Sequence, residues 1–70
     1  ESAWRRMFEQ LKGYKQLKGD CIVPEGWPDN PQLAKWVQRQ RQEAKNLNEG
    51  KKAKIDHERI SELEDIGFHW

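Results

Sequence analysis

The chain has 70 residues and a mass of 8.4 kDa, is 34% hydrophobic and 36% charged, and carries a net charge of +1 at pH 7. That bounds it to one small domain with a small core; its single cysteine, Cys21, excludes an intrachain disulfide, and with only His57 and His69 beside it a structural zinc site lacks ligands. No stretch nears the ~20 apolar residues of a membrane span, and no phosphate-cradling glycine run, Gly-x-Ser-x-Gly or His-Glu-x-x-His is present, so a binding module without cofactor is the expected class. Trp4, Met7, Phe8, Leu11 and Tyr14 recur at the i, i+3, i+4, i+7 spacing that predicts an amphipathic helix over residues 3–18. Ser2 is placed to cap its start and Gly19 to stop it, while Arg6, Glu9, Gly13 and Gln16 take the wet face. Residues 20–30 read as a connection, extended at Val23-Pro24 and turned by Gly26, Pro28, Asp29 and Asn30. A second helix, 31–47, opens at Asn30-Pro31, because Asn caps well and the missing N–H of Pro would be unpaired there anyway. Its apolar stripe is Leu33, Trp36, Val37, Gln40, Ala44 and Leu47, and the polar stretch from Asn46 to Lys54 reads as a loop that does not pack. Asp56 caps a third helix, 56–66, which carries Ile60, Leu63 and Ile66 and ends near Gly67. The predicted fold is all-α, a compact three-helix bundle whose core draws on Trp4, Phe8, Trp36, Phe68 and Trp70, at ~150–250 Å² buried for each ring.

Charge is unevenly distributed along this plan. Residues 1–20 carry +2, residues 21–30 −2, residues 31–54 +5 and residues 55–70 −4. A basic middle and an acidic end point to a polyanion-binding face, or equally to two solvated surfaces that attract each other within the molecule.

The series Trp4…Phe8-x-x-Leu11-x-x-Tyr14, Val23-Pro24, Leu33-x-x-Trp36-Val37-x-x-Gln40-Arg41 and Arg59-Ile60-x-x-Leu63-x-x-Ile66-Gly67-Phe68-x-Trp70 resembles the helicase-associated domain family over essentially the whole chain. The Trp-Val-x-x-Gln-Arg stretch and the closing Ile-Gly-Phe-x-Trp are its most specific parts. The resemblance implies a small helical module, often in tandem, attached to bacterial DEAD/DEAH-type helicases, with nucleic-acid binding as its suggested role. Lys18 stands where the family tends to place His, and Ile55-Asp56 where it favours Leu-Thr or Leu-Ser. Both departures leave the fold intact, since Ile keeps the apolar contact and Asp still caps; Lys18 removes whatever role the family gives that ring. The resemblance implies DNA or RNA, a helicase motor and sibling modules as partners. The start at Glu1 rather than Met fits a piece of a longer protein, expected to be intracellular, in the cytoplasm, and monomeric when isolated.

The second helix is the candidate nucleic-acid reader. At 100° per residue, Lys35, Gln38, Arg39, Gln42, Lys45 and Asn46 lie opposite Leu33 and Ala44, with Arg41 on a flank. Lys and Arg neutralise phosphates, and Gln, Asn and Arg make the paired hydrogen bonds that read base edges. Lys51, Lys52 and Lys54 extend the contact along the backbone. The same residue types are also good helix formers on an ordinary wet face. Glu58, Glu62 and Asp65 are expected to turn the third helix away from phosphate. Binding through a few phosphates would be weak and salt-sensitive, with Kd about 10⁻⁴–10⁻⁶ M. The competing class is a protein-interaction module that packs against a helicase core or sibling repeats.

The remaining residues have structural readings. Gln40 sits on the apolar stripe, so its amide needs a partner, expected among backbone groups of the 20–30 connection. Arg41 is expected to lay its stem on an aromatic ring with its guanidinium outward. Trp27 is expected to pack rather than to stack a base, Cys21 to be a small buried hydrophobe, and His57 and His69 to be surface groups. Glu62 and Asp65 lie one turn apart on an open face, which does not suit acid–base work.

Overall fold

In the computed structural model, which describes residues 2–70, Ser2 opens helix α1 (Ala3–Lys18) by accepting the Arg5 backbone N–H at 3.2 Å. Gly19 closes it in the left-handed conformation. The connection that follows is tied back to α1. The Tyr14 hydroxyl donates to the Ile22 carbonyl at 2.8 Å, and Trp27 meets the Tyr14 ring edge-on with centroids 4.9 Å apart. Trp27 therefore packs, as its surroundings suggested. Asn30 then does two jobs: its side-chain oxygen caps helix α2 (Pro31–Asn48) on the Leu33 N–H at 3.1 Å, and its amide donates to Gln10 of α1 at 2.7 Å.

Helix α2 runs one residue beyond the expected end at 47, because Glu49 and Gly50 can still satisfy its last carbonyls. The loop after it is less detached than its polarity suggested, since Ala53 packs against the core; beyond it Ile55 is buried, keeping the expected apolar contact. Asp56 caps helix α3 (His57–Asp65) on the Arg59 N–H at 2.9 Å, so the helix proper lies inside the expected 56–66, between its caps Asp56 and Ile66. Past Ile66, Phe68 N–H reaches the Leu63 carbonyl at 3.0 Å and Gly67 N–H the Glu64 carbonyl at 2.9 Å. That double closure needs a left-handed residue, and Gly67 supplies it at φ +79°. It delivers Phe68 into the core as the apolar residue that usually accompanies such a stop.

The three helices, with no strand among the described residues, close one core around Leu11, Leu33, Val37, Leu63 and Cys21. Trp4 and Phe8 stack at 5.0 Å, and Trp36 tilts against Trp4 at 5.8 Å. Ala34, absent from the expected stripe, is also buried. Trp70 departs from its expected place in the core: it is 47% exposed and rests edge-on against Phe68 at 4.6 Å. The aromatic core is thus built from Trp4, Phe8, Tyr14, Trp36 and Phe68.

Two polar ties link the first helix to the other two. The Trp4 indole N–H donates to Gln40 Oε1 at 2.8 Å, so Gln40 is satisfied by α1 and not by the 20–30 connection. Arg5 forks onto both oxygens of Glu62 at 2.7 and 3.0 Å, which draws Glu62 out of the open face expected for it. A third contact closes the far end. Lys15 Nζ donates to the Ile66 carbonyl at the C-terminus of α3, where a cation also meets the negative end of the helix dipole. The Cys21 thiol lies 3.5 Å from the same oxygen.

Candidate nucleic-acid interface

The polar side of α2 stands as a ridge between two grooves. Burying Leu33, Ala34, Trp36, Val37, Gln40 and Ala44 turns Lys35, Gln38, Arg39, Gln42 and Lys45 to solvent. Ion pairs among the described residues join Arg5 to Glu62, Lys12 to Glu9 and Lys51 to Glu49. Lys35, Arg39, Lys45, Lys52 and Lys54 are exposed and lie outside these pairs.

The first groove, of about 470 Å³, lies where the start of α1, residues 32–43 of α2 and the 54–59 segment meet. Its base is apolar, from Trp4, Met7, Trp36 and Ile55, of which Trp36 and Ile55 are almost wholly buried. Its edge carries Lys35, Arg39, Lys54 and Arg59 against one carboxylate, Glu43. Glu43 already accepts the Lys54 backbone N–H at 3.1 Å, which fixes the loop beside the helix. Arg59 sits over the Trp4 ring, 5.0 Å from its centroid. Four cations around aromatic surface form a setting for a phosphate-bearing ligand with a flat apolar part.

The second groove, of about 620 Å³, takes Gln38, Arg41, Gln42 and Lys45 from the other flank of α2, with His57 and the exposed Trp70 opposite. Two of these residues are occupied. Arg41 Nε donates to the His69 carbonyl at 2.8 Å, and its guanidinium lies 5.5 Å from the Phe68 ring centre, so it braces the C-terminal segment. The Gln42 amide donates to Asn46 at 3.0 Å. Lys51 pairs with Glu49 at 3.0 Å, while Lys52 stands exposed in the loop. The candidate residues therefore fall into three places: Lys35, Arg39 and Lys54 at the first groove; Gln38, Arg41, Gln42 and Lys45 at the second, with Asn46 bonded to Gln42; and Lys51 and Lys52 in the loop.

Arg59 was hidden in the sequence by its acidic neighbours. The −4 of residues 55–70 describes the segment, whereas Asp56 as cap puts Arg59 on the first turn of α3, toward α1. Trp4, Trp36 and Gln40 also contribute to the groove as well as to the core. The lone base in the Asp56-x-x-Arg59 start was the available signal.

Groups with classical reactivity lie elsewhere. Burial pushes the Cys21 thiol up, with Lys15 opposing, so it stays a protonated, inert group. Tyr14 is likewise pushed up by burial. Arg5 holds the Glu62 carboxyl below its ordinary value, chiefly through their hydrogen bonds. Among the described residues no three of His, Cys, Asp and Glu gather as metal ligands, and no helix is long and apolar enough to cross a membrane.

What these elements define is a small all-α module whose outward chemistry is a cationic ridge beside an aromatic-floored groove. The family model of the helicase associated domain (HA) matches residues 1–70, the whole chain. The chain belongs to that family, which makes it an accessory module associated with helicases rather than a catalytic domain in itself. Neither the curated proteins nor the solved structures yield a match.

Proposed function

We propose that this domain binds nucleic acid on behalf of a larger helicase-like protein, holding a strand by its phosphates while a motor elsewhere in the parent performs the ATP chemistry. The observation that carries this reading is the set of exposed cations on the polar side of α2, Lys35, Arg39 and Lys45, that pair with no carboxylate among the described residues. An ordinary solvated helix laces such charges into i, i+4 pairs. Here Glu43, the one acid on α2 before its last turn region, is spent on the Lys54 backbone. The acids of α3 that stay open, Glu58, Glu64 and Asp65, repel phosphate and restrict contact to the α2 side.

Sequence readout is a small part of this function. Few phosphates are within reach of so short a ridge, so affinity is modest, and tandem copies on one parent chain would raise it through effective concentration. A second reading, packing against the motor or a sibling module, rests on Leu17, Ile22 and Trp70, which are 76%, 50% and 47% exposed.

Binding of short DNA and RNA, followed against salt, separates the two. Affinity should fall with a log–log slope of about −0.7 to −0.9 for each phosphate neutralised, and Lys35→Glu with Arg39→Glu should abolish it while Glu58→Lys strengthens it. Binding that survives both reversals contradicts the α2 assignment.

A further inference from the structure

We infer that the 470 Å³ groove receives an unstacked nucleobase, so that the domain takes single-stranded nucleic acid in preference to duplex. The inference deepens the phosphate-binding reading above and rests on it.

A purely electrostatic ridge needs no cavity. This one borders a groove within the ~300–1,000 Å³ range of small-ligand sites, with a base of Trp4, Met7, Trp36 and Ile55. Apolar surface of that kind offers nothing to a phosphate and much to a ring. The Arg59 guanidinium carbon lies over the Trp4 ring, 5.0 Å from its centroid, so a base entering the groove meets a guanidinium and an indole side by side, the two kinds of group on which any base can stack. Gln40 also lines the groove. Its oxygen is engaged by the Trp4 indole N–H, which settles the orientation of the amide and leaves its N–H donors to offer.

The charges sit where the flanking phosphates of such a base would run. Lys35 and Arg39 line the same groove one helical turn apart, about 6 Å along the axis, a separation that suits two consecutive phosphates of an extended single strand. Lys54 marks the other lip of the groove. In a duplex the base edges are paired and the rings stacked, and none can enter without being extruded. The occupant is therefore a single strand, with one base in the groove and its phosphates on the rim.

The test compares three ligands of equal charge at low salt, using the 70-residue chain: short oligothymidylate, an abasic strand of the same length, and a poly-glutamate peptide. The base-bearing strand should bind about tenfold or more tighter than the abasic one, as one stacked base supplies, and poly-glutamate more weakly than either. Arg59→Lys keeps the charge but not the plane; it should bring the two strands to near equality, while Arg6→Lys, at an exposed position away from the groove, leaves their ratio unchanged. Equal binding of the two strands by the unaltered chain overturns the base-receiving groove and leaves phosphate binding standing. Poly-glutamate bound as well as oligothymidylate overturns it too, by showing a sink for any polyanion. No binding of either strand removes both readings.

Discussion

Gln40 and Glu62 show how much a polar residue's meaning depends on a partner far away in sequence. A Gln on an apolar stripe announces that it needs a hydrogen bond, but not with whom. The donor is Trp4, 36 residues earlier, and the bond places Trp4 beside Trp36 at one wall of the groove. Glu62 reads as an outward acid on helical periodicity alone, yet Arg5, 57 positions away, claims it with a two-pronged hydrogen bond. With about a third of each side chain exposed, water screens this pair and its contribution is modest. Its pH signature is nonetheless definite. A carboxylate held below its ordinary value stabilises the fold at neutral pH, and that contribution is lost as pH falls below about 4.5 toward the lowered folded value. Glu62→Gln should therefore melt below the parent chain at pH 7 and converge with it in acid, as thermal unfolding across pH will show. A constant gap at every pH would mean that the ion pair carries no stability.

At the scale of the elements, the local signals were sufficient because helix ends are decided by a few neighbouring residues. Ser2, Asn30 and Asp56 each cap the helix they precede, and each does so with its side-chain oxygen on the N–H three residues on. The end of α2 lies a residue past the expected 47 because composition shows that Asn, Glu and Gly cannot pack but not that their backbone still closes the last turn. The most consequential stop is at Gly67. A Cβ there would meet only the Lys15 ammonium, at 3.5 Å, so the cost of a side chain lies in the positive φ and not in space. Gly67→Ala should destabilise by about 1–2 kcal/mol, whereas Gly13→Ala, on the open face of α1, should stabilise by roughly 0.5–1 kcal/mol. Chemical denaturation of both variants checks the pair. Equal effects at the two sites would contradict the left-handed stop that seats Phe68.

Across the whole molecule, the bundle was legible and the groove was not. Periodicity assigns residues to the inside or outside of a helix, and it placed Lys35 and Arg39 outside correctly. It cannot say which two outer flanks approach each other, and the groove exists only where α1, α2 and the turn into α3 converge. Nor does segment charge resolve individual positions: the acidic total of residues 55–70 hides Arg59, and the basic total of the middle does not reveal that Arg41 and Lys51 are already engaged. The size of its ring alone puts Trp70 in the core, but three residues past Gly67 it packs on Phe68 from outside and remains half in solvent.

An NMR titration of the 70-residue chain with oligothymidylate at low salt, following backbone amides and indole N–H signals and repeated at high salt, tests the central claim most directly. The account predicts shifts at Lys35, Arg39, Lys54 and Arg59, together with the indole signals of Trp4 and Trp36, all of them collapsing as salt is raised. Shifts confined to the exposed acids of α3 or to Leu17, Ile22 and Trp70, or shifts that persist at high salt, would contradict it.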